Sequence, residues 1–215
     1  MLMVHLKPKS MIMTIDLLID IFLDKNFLYN KSEGDRLGEE LKHFLLPLIT
    51  TSYYPRSQLV LSAGQAADYL YFLEEGLVRG FRFDKEKQKE TTVFLWKEGS
   101  LVMIPESFFY RKPSSVYIEV TAGSRMLSLS SFHLMQFVAL YPEGAIIPQN
   151  LMLQFSESEN TRNRRLSMMN AWERYLQLLE DFPVIEQRVS KEVIASYLNI
   201  TPQSLSRMLR IKGHP

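Results

Sequence analysis

The sequence of 215 residues contains no cysteine. Disulfide bonds, a thiolate nucleophile and cysteine-ligated iron–sulfur clusters are therefore excluded, and with them one class of redox sensing. The chain also lacks any apolar run of the ~18 to 20 residues that a membrane-spanning helix needs. Histidine is scarce, and its four positions are isolated from one another: His5, His43, His133 and His214.

Net charge is nearly absent as well. The 25 basic and 24 acidic residues leave a formal charge of +1, so the whole molecule has no field that would draw it to a polyanion. The excess of positive charge is local, because residues 186–215 contain five basic and two acidic side chains. Any binding to nucleic acid is therefore expected near the C-terminus.

The N-terminal segment combines an early positive charge with an apolar run, as secretion signals do. Asp16 and Asp20 interrupt that run, and no small-residue cleavage site follows it. We interpret the segment as an amphipathic helix of a cytoplasmic protein, with Met11 and Met13 as alternative starts. Apolar residues then form two stripes with helical spacing, which predict helices between residues 14 and 46 that cover another domain. The stripes are Ile15, Leu18, Ile19, Phe22 and Leu23, then Leu37, Leu41, Phe44 and Leu45.

The pattern changes between Tyr53 and Ser130, where short alternating or β-branched runs are separated by turn residues. The runs are QLVLS, YLYFLEEG, LVRGFRF, ETTVFLW, VYIEVT and RMLSLS. No helix-length segment separates them, so the pattern favours an antiparallel sandwich or barrel over a parallel sheet, and we expect a jelly roll. The charged run at residues 85–90 is interpreted as a solvated hairpin tip.

The strongest local pattern is KEVIASYLNITPQSLSRMLR at residues 191–210. Thr201 and Pro202 provide an N-cap hydroxyl and a φ-restricted residue at the start of a second helix. Asn199 stands where a tight turn needs a positive φ, and Ala195 is small enough to let two helices cross closely. This spacing is typical of a helix-turn-helix, although a surface helical hairpin would show the same pattern.

The polar face of this segment carries side chains suited to reading DNA. If the apolar positions face inward, six polar residues face outward, five on the second helix and one at the start of the first. They are Gln203, Ser204, Ser206, Arg207, Arg210 and Lys191. Arginine can form two hydrogen bonds to guanine, and glutamine can do the same with adenine. We predict base contacts from Gln203, Ser204 and Arg207, and phosphate contacts from the other three.

Two stretches together resemble one known family. The run GQAADYLYFLEEGLVRGF is similar to the opening of the cyclic-nucleotide-binding fold of the catabolite-activator/FNR (Crp/Fnr) family of bacterial transcription regulators. The run IASYLNITPQSLSRMLR resembles the form IASYLGITPxxLSRIRK of its Bacteroidetes-type members. The resemblance covers about Leu41 to Arg210. It implies an α+β chain with N-terminal helices, an antiparallel β jelly roll, a long dimerisation helix and a C-terminal helix-turn-helix.

The order of elements in the family implies three segments. Residues 1–142 would hold the N-terminal helices and the jelly-roll sensor, 143–181 the dimerisation helix, and 182–215 the DNA-binding domain, with the family's β-hairpin wing absent or truncated. An apolar stripe in the second segment would pair the helix with its twin, although a core helix within one chain would show the same stripe. The stripe residues are Leu151, Phe155, Leu166, Met169, Trp172, Leu176 and Leu179.

The resemblance also implies an effector pocket in the jelly roll. Family members hold a cyclic nucleotide there with a glycine–glutamate pair and an arginine–serine pair. In this chain Glu106 follows a proline instead of the glycine, and Ser114 and Ser115 stand without the arginine. Arg111 lies near enough to substitute, but we expect that cyclic AMP does not bind tightly.

An altered pocket for an apolar or aromatic effector is the alternative, because aromatic residues recur along the strands. Such a cluster can equally be plain core. Tyr71 and Phe94 are our candidates for lining the pocket. The other aromatic residues of this region are Trp96, Phe108, Phe109, Tyr110 and Tyr117. Heme with an axial histidine is a further alternative, to which only the isolated histidines could contribute.

These observations predict a sequence-specific DNA-binding transcription regulator. We expect a cytoplasmic homodimer on a pseudo-palindromic operator, with an unidentified small effector in the jelly roll and RNA polymerase as a further partner. No catalytic residue and no metal site is predicted, and we expect no enzymatic activity. Two alternatives stay open. One is a small-molecule-binding jelly roll that acts through a protein partner, and the other is a cupin-like metalloenzyme, which would need clustered histidines with a carboxylate.

Overall fold

The computed structural model describes residues 8–23 and 31–213. Two helices come first, α1 at Pro8–Leu23 and α2 at Lys31–Leu45. Their apolar stripes face the strands that follow and join the same core, so the predicted pair of covering helices is confirmed. The stripe residues that are almost fully buried are Ile15, Leu18, Phe22, Leu41 and Leu45.

The described residues form eight strands in two four-stranded sheets, with strand orders β1-β8-β3-β6 and β2-β7-β4-β5. All pairings are antiparallel, and the predicted jelly roll is confirmed. The strands are β1 Thr50–Tyr54, β2 Gln58–Leu61, β3 Tyr69–Glu75, β4 Leu77–Asp84, β5 Lys89–Lys97, β6 Leu101–Val102, β7 Tyr117–Val120 and β8 Ser124–Ser130. Each of the six predicted runs is a strand. β1 and β6 are not among them, because β1 has no aliphatic alternation and β6 has only two residues.

One glycine makes the corner at which the chain passes between the sheets. Gly76 has a φ of +105, and a Cβ at this position would lie 2.1 Å from the Oγ of Ser124. Because only glycine fits, β3 and β4 can follow each other directly in different sheets. At the β4–β5 tip, the Asp84 carboxylate accepts hydrogen bonds from the backbone N–H groups of Glu86 and Lys87. The hairpin tip predicted for the charged run is confirmed.

Helices account for most of the remaining chain. They are α3 Pro105–Tyr110, α4 Ser131–Leu140, a 3₁₀ turn Pro142–Ala145, α5 Ile146–Met168, α6 Ala171–Asp181, α7 Ile185–Arg188, α8 Lys191–Tyr197 and α9 Pro202–Lys212. The long helix expected over 143–181 is not continuous. Asn170 starts α6 with a capping box, in which its side chain accepts from the Glu173 N–H and the Glu173 carboxylate accepts from the Asn170 N–H.

The apolar stripe of this helical region packs mostly within the chain. Leu151 is 3% exposed in the jelly-roll core, and the Phe155 ring lies 5.2 Å from the ring of Phe94. Trp172 and Leu179 pack against a C-terminal cluster. Helix α1 packs against α5, and α6 contributes to the C-terminal core, so these four residues have contacts within the chain. The pairing of this helical region with a second copy stays a prediction.

The described residues bury two hydrophobic cores. The first lies between the sheets and under α1, α2, α4 and the start of α5. The second is formed by α6 to α9 and includes Leu77, which comes from strand β4. The jelly roll and the C-terminal helices therefore share a packed boundary. Within residues 8–23 and 31–213, no helix combines the length and the apolar character needed to cross a membrane.

Candidate functional site

The turn between α8 and α9 is built as the sequence predicts. Asn199 has a φ of 55, and the Thr201 hydroxyl oxygen accepts a hydrogen bond from the Ser204 backbone N–H at 3.1 Å. Pro202 occupies the first turn of α9, where its missing N–H leaves no bond unmade. Ala195 is fully buried where the helices cross. Helices α8 and α9 are therefore joined by the predicted tight turn, and their use as a DNA-binding helix-turn-helix stays a prediction.

Helix α9 turns one face into the C-terminal core and leaves the other outside. Leu205 and Leu209 are buried, and Met208 packs partly against the same cluster. The inward face predicted from the sequence is therefore the observed one. The opposite face is the part of α9 that can reach another molecule.

The six side chains predicted to contact DNA differ in exposure and in the hydrogen bonds that they make within the chain. Ser204 is half-buried, and its hydroxyl accepts a hydrogen bond from the Thr201 hydroxyl at 2.9 Å, so it takes part in capping α9. The other five side chains are exposed and make no hydrogen bond or ion pair with any residue that the structure describes. They are Gln203, Ser206, Arg207, Arg210 and Lys191. This surface is polar, basic and unoccupied by intramolecular contacts.

Two of the six candidate effector residues, Arg111 and Ser114, make hydrogen bonds within the chain. Arg111 ends helix α3 and donates to the Asp68 carboxylate at 2.5 Å and to the Ala67 carbonyl at 2.9 Å. The Ser114 hydroxyl is used within its own turn, where it bonds to both the N–H and the carbonyl of Val116. Two of the side chains that could have held a phosphate therefore make contacts within the chain.

The remaining four effector candidates differ in burial. Glu106 and Ser115 are exposed, and the nearest cation to Glu106 is Lys112 at 3.9 Å. Tyr71 is buried, and its burial raises the pKa of the hydroxyl well above the ordinary value, so the hydroxyl stays neutral. Phe94 is the one residue of the six that lines a large cleft.

That cleft lies between strand β5 and helix α5 and has a volume of about 650 Å³. Phe94 and Trp96 from the strand and Phe155 from the helix provide ring faces, and the Phe94 and Trp96 rings stack with centroids 5.4 Å apart. A Cβ on Gly80 would lie 3.0 Å from Phe94 and 3.1 Å from Trp96. Glycine at this place on β4 therefore leaves room for the two rings.

Two of the cations that line the cleft, Arg162 and Lys97, form no ion pair with a described residue, and Arg162 is the half-buried one. Arg165 forms an ion pair with Asp181. The Arg162 side chain donates from Nη2 to the carbonyls of Thr92 and Tyr197 at 3.3 and 3.4 Å, while its Nε is buried without any partner. Within the part of the chain that the structure describes, no carboxylate forms an ion pair with Arg162. Burial lowers the pKa of this guanidinium.

The same region joins the jelly roll to the C-terminal helices. The Thr92 N–H on β5 donates to the Ser196 Oγ on α8 at 2.8 Å, and Ser196 also donates to the Glu90 carbonyl at 3.4 Å. With Arg162 on the Thr92 carbonyl, both backbone groups of Thr92 on this edge strand are satisfied by α8 and α5. We call this set of contacts among Thr92, Ser196 and Arg162 the β5–α8 joint.

Two arginines at this boundary are not among the predicted site residues. Arg79 on β4 is 8% exposed and pairs with both Glu90 and Glu119, with its Nε 2.7 Å from a Glu119 oxygen. The signal for Arg79 is a charged residue inside the apolar run LVRGF, and the signal for Arg162 is the basic run RNRR on a helix. Neither pattern indicates which residues the arginine contacts, because those residues are distant in the sequence.

Metal-ligating side chains do not converge in the described ranges, where no group of three His, Cys, Asp or Glu residues is found. His43 is exposed and His133 half-buried, and neither lines the cleft. His5 and His214 lie outside the described residues.

Comparison with known proteins identifies the fold. Residues 51–141 match the family model of the cyclic nucleotide-binding domain. The c-di-GMP-responsive global regulator CLP of Xanthomonas campestris has a similar structure, with a TM-score of 0.63 and 18% identity over 81% of this chain and 91% of that chain. FixK2 from Bradyrhizobium japonicum is similar with a TM-score of 0.63 and 15% identity, over 77% of this chain and 86% of that chain.

A third similar structure is a Eubacterium rectale protein described as a transcriptional regulator of the Crp/Fnr family. Its TM-score is 0.63 and its identity 14%, over 80% of this chain and 82% of that chain. No curated protein matches the sequence. The predicted resemblance to the cyclic-nucleotide-binding fold and to Crp/Fnr regulators is confirmed at the level of fold. The narrower resemblance to Bacteroidetes-type members stays a prediction.

Proposed function

We propose that this protein is a sequence-specific DNA-binding transcription regulator whose jelly roll senses a small molecule. The outward face of α9 carries this proposal, because Gln203, Arg207 and Arg210 are exposed there with no partner among the described residues. The positive charge of the chain is concentrated in the same segment, where it can attract phosphate. The jelly roll supports sensing, since it matches a ligand-binding domain family.

A homodimer is part of the proposal. Two copies of α9 about 34 Å apart would enter successive major grooves of a pseudo-palindromic operator. Because Leu151 and Phe155 pack within the chain, the pairing surface would use residues that stay outside, such as Leu153 at 45%, Met168 at 78% and Leu176 at 41% exposure. The protein would act in the cytoplasm and would contact RNA polymerase from the operator.

The effector would occupy the cleft between β5 and α5. This inference is supported by the contacts that Arg111 and Ser114 make within the chain, which engage two of the side chains at the positions used by cyclic-nucleotide binders. We therefore expect cyclic AMP to bind weakly. The cleft contacts the jelly roll, α5 and, through Tyr197, the C-terminal helices, so its occupancy can influence where α9 lies.

Selection of DNA from a random duplex library, followed by anisotropy titration, tests this function. We expect one enriched pseudo-palindrome. Arg207→Ala should weaken binding to it by about 1 to 3 kcal/mol and relax the sequence preference, because arginine reads base edges. Arg56→Ala is the matched control, since Arg56 is an exposed arginine on the loop between β1 and β2.

Two outcomes would contradict the proposal. One is a library without any enriched sequence, and the other is an equal loss of affinity in the Arg207 and Arg56 variants. An equal loss on the selected and on scrambled duplexes would instead make Arg207 a phosphate contact.

A further inference from the structure

We propose that the cleft between β5 and α5 binds an aromatic organic anion, that Arg162 holds its charged group, and that this binding opens the β5–α8 joint. The regulatory consequence rests on the proposed function. The binding step does not, because it stands on the cleft alone.

The charge of Arg162 is incompletely compensated by contacts within the chain. A buried guanidinium is strongly disfavoured unless carboxylates or several hydrogen bonds compensate its charge. Arg162 is half-buried, with two carbonyl contacts of 3.3 and 3.4 Å, the Tyr197 ring at 5.1 Å and a buried Nε without a partner. A carboxylate, sulfonate or phosphate in the cleft would satisfy Nε and Nη2 together, which is the paired geometry that guanidinium favours.

The other charges of the cleft do not fill this role. Asp181 is engaged by Arg165. Glu157 is exposed, and Glu159 acts on Arg162 through its charge without forming an ion pair among the described residues. Lys97 adds an exposed positive charge at the cleft. The position of Arg162, and not a net positive charge of the cleft, therefore selects an anion.

The rings of the cleft indicate the rest of the ligand. Phe94, Trp96 and Phe155 face it, and the Tyr197 ring lies 5.1 Å beneath the Arg162 guanidinium. Flat rings stack on such faces with a gain beyond simple burial. The volume of about 650 Å³ lies within the range of ~300 to 1,000 Å³ that is usual for small-molecule sites. A ligand with one or two aromatic rings next to its anionic group fits both features.

Ligand binding is coupled to the β5–α8 joint because Arg162 donates hydrogen bonds to carbonyls on both sides of that joint. Its two acceptors are the Thr92 carbonyl on β5 and the Tyr197 carbonyl at the end of α8. A guanidinium turned toward an anion leaves both carbonyls, and the joint then depends on the bonds of Ser196. Ligand and joint compete for the same side chain, so each weakens the other.

Fluorescence titration with anilinonaphthalene sulfonate tests the binding step, because this probe combines aromatic rings with an anionic group. We expect saturable binding of one probe per chain. Arg162→Gln should weaken it about 10- to 100-fold through loss of charge-assisted hydrogen bonds. Arg164→Gln is the matched control, since Arg164 is an exposed arginine on the same helix. Arg162→Lys keeps the charge without the paired donors. Its affinity for the probe should therefore lie between those of Arg162→Gln and Arg164→Gln.

Phenylnaphthylamine has the same rings without the sulfonate and separates charge from stacking. Its affinity should be equal in the Arg162→Gln and Arg164→Gln variants and should fall in Phe155→Ala. Equal sulfonate affinity in the two glutamine variants, with both folded by circular dichroism, would overturn the proposal. So would an equal loss of both probes in Arg162→Gln.

Hydrogen exchange of the Thr92 amide tests the coupling. Saturation with the sulfonate probe should speed this exchange at least severalfold in the wild-type chain, while the same probe should leave it unchanged in Arg162→Gln. Unchanged or slower exchange in the wild type would overturn the coupling. These measurements need no DNA. A failed operator selection would therefore contradict the proposed function without affecting the binding and coupling proposed for the cleft.

Discussion

Two arginines near the edge of the jelly roll, buried Arg79 and half-buried Arg162, differ in how their charge is compensated. Arg79 lies between two carboxylates, those of Glu90 and Glu119, whereas Arg162 has carbonyl contacts and a buried nitrogen without a partner. Buried charges that are fully paired serve the fold, and a buried charge that is incompletely paired in a cleft is available to a ligand. The same residue type therefore has a structural part on β4 and, as we propose, a binding part on α5.

Arg79→Ala should lower the free energy of unfolding by about 2 kcal/mol, because it removes the shared partner of two carboxylates, both of which keep some contact with water. Urea unfolding followed by circular dichroism measures this change. Arg82→Ala on the same strand is the control, since Arg82 is exposed, and it should shift the midpoint very little. A common midpoint for the two variants would show that the Arg79 pairs contribute no stability.

Sequence reasoning at this scale succeeds for the exposed face of α9, and the effector pocket that it suggests stays a prediction. The exposure of Gln203, Arg207 and Arg210 follows from helical period alone, because the period decides which residues face the core. The partner of Arg111 is Asp68, which is 43 positions away. Neither the period nor the spacing of residues carries information about such a contact.

At the scale of elements, the turn before α9 depends on one backbone conformation. Asn199 adopts a φ of 55, which asparagine and glycine tolerate and β-branched residues do not. Asn199→Val should therefore destabilise the protein by about 1 to 2 kcal/mol, whereas Asn199→Gly should change stability by only a few tenths. Thermal unfolding of the two variants measures the difference. Similar melting temperatures would mean that the turn relaxes to another conformation.

The β5–α8 joint provides a second element-scale prediction. Ser196→Ala removes the acceptor of the Thr92 N–H and should weaken the joint by about 1 kcal/mol. Hydrogen exchange at Thr92 should then be about fivefold faster than in the wild type. Ser206→Ala is the control, because Ser206 is exposed on α9 and has no partner in the described residues. Equal exchange rates in the two variants would show that other contacts hold α8 on the strand.

The helical segment after the jelly roll shows where pattern reasoning fails for an element. An apolar stripe predicts that one side of a helix is buried, but not what buries it. Here the covering surface includes α1, whose last carbonyls at Ile21 and Phe22 accept hydrogen bonds from the Gln154 and Asn150 amides. The break at residues 169–170 also falls within the expected helix, and its signal is the capping box N-x-x-E.

For the whole molecule, the even charge balance predicts a modest dependence of DNA binding on salt. Only the C-terminal segment carries an excess of positive charge, so the slope of log affinity against log salt should reflect phosphate contacts from that segment. Arg210→Ala should reduce the magnitude of the slope by about 2 in a homodimer and about 1 in a monomer, at about 0.9 per phosphate contact. Arg207→Ala, as a base contact, should leave the slope nearly unchanged.

Native mass spectrometry of the same protein gives the stoichiometry independently. A dimer mass together with a slope change near 2 would agree with two protomers on one operator. A monomer with a slope change near 1 would remove the homodimer from the proposed function. An unchanged slope in Arg210→Ala would mean that Arg210 does not contact phosphate.

The sequence by itself determined the features that depend on neighbours along the chain. Alternating strands, the turn at Asn199 and Thr201 and the inward face of α9 all follow from backbone preference and from period, which are local properties. The jelly-roll fold could be predicted because many short strands without intervening helices allow few other arrangements.

Only the tertiary structure decided which surfaces meet. It placed α1 and β5 against α5, paired Arg111 with Asp68 and left Arg162 facing a cleft at the β5–α8 joint. These outcomes depend on contacts between residues dozens of positions apart, whose geometry follows from the packing of two sheets and several helices together. The exposed face of α9 could therefore be predicted from the sequence, whereas the cleft beside Arg162 could not.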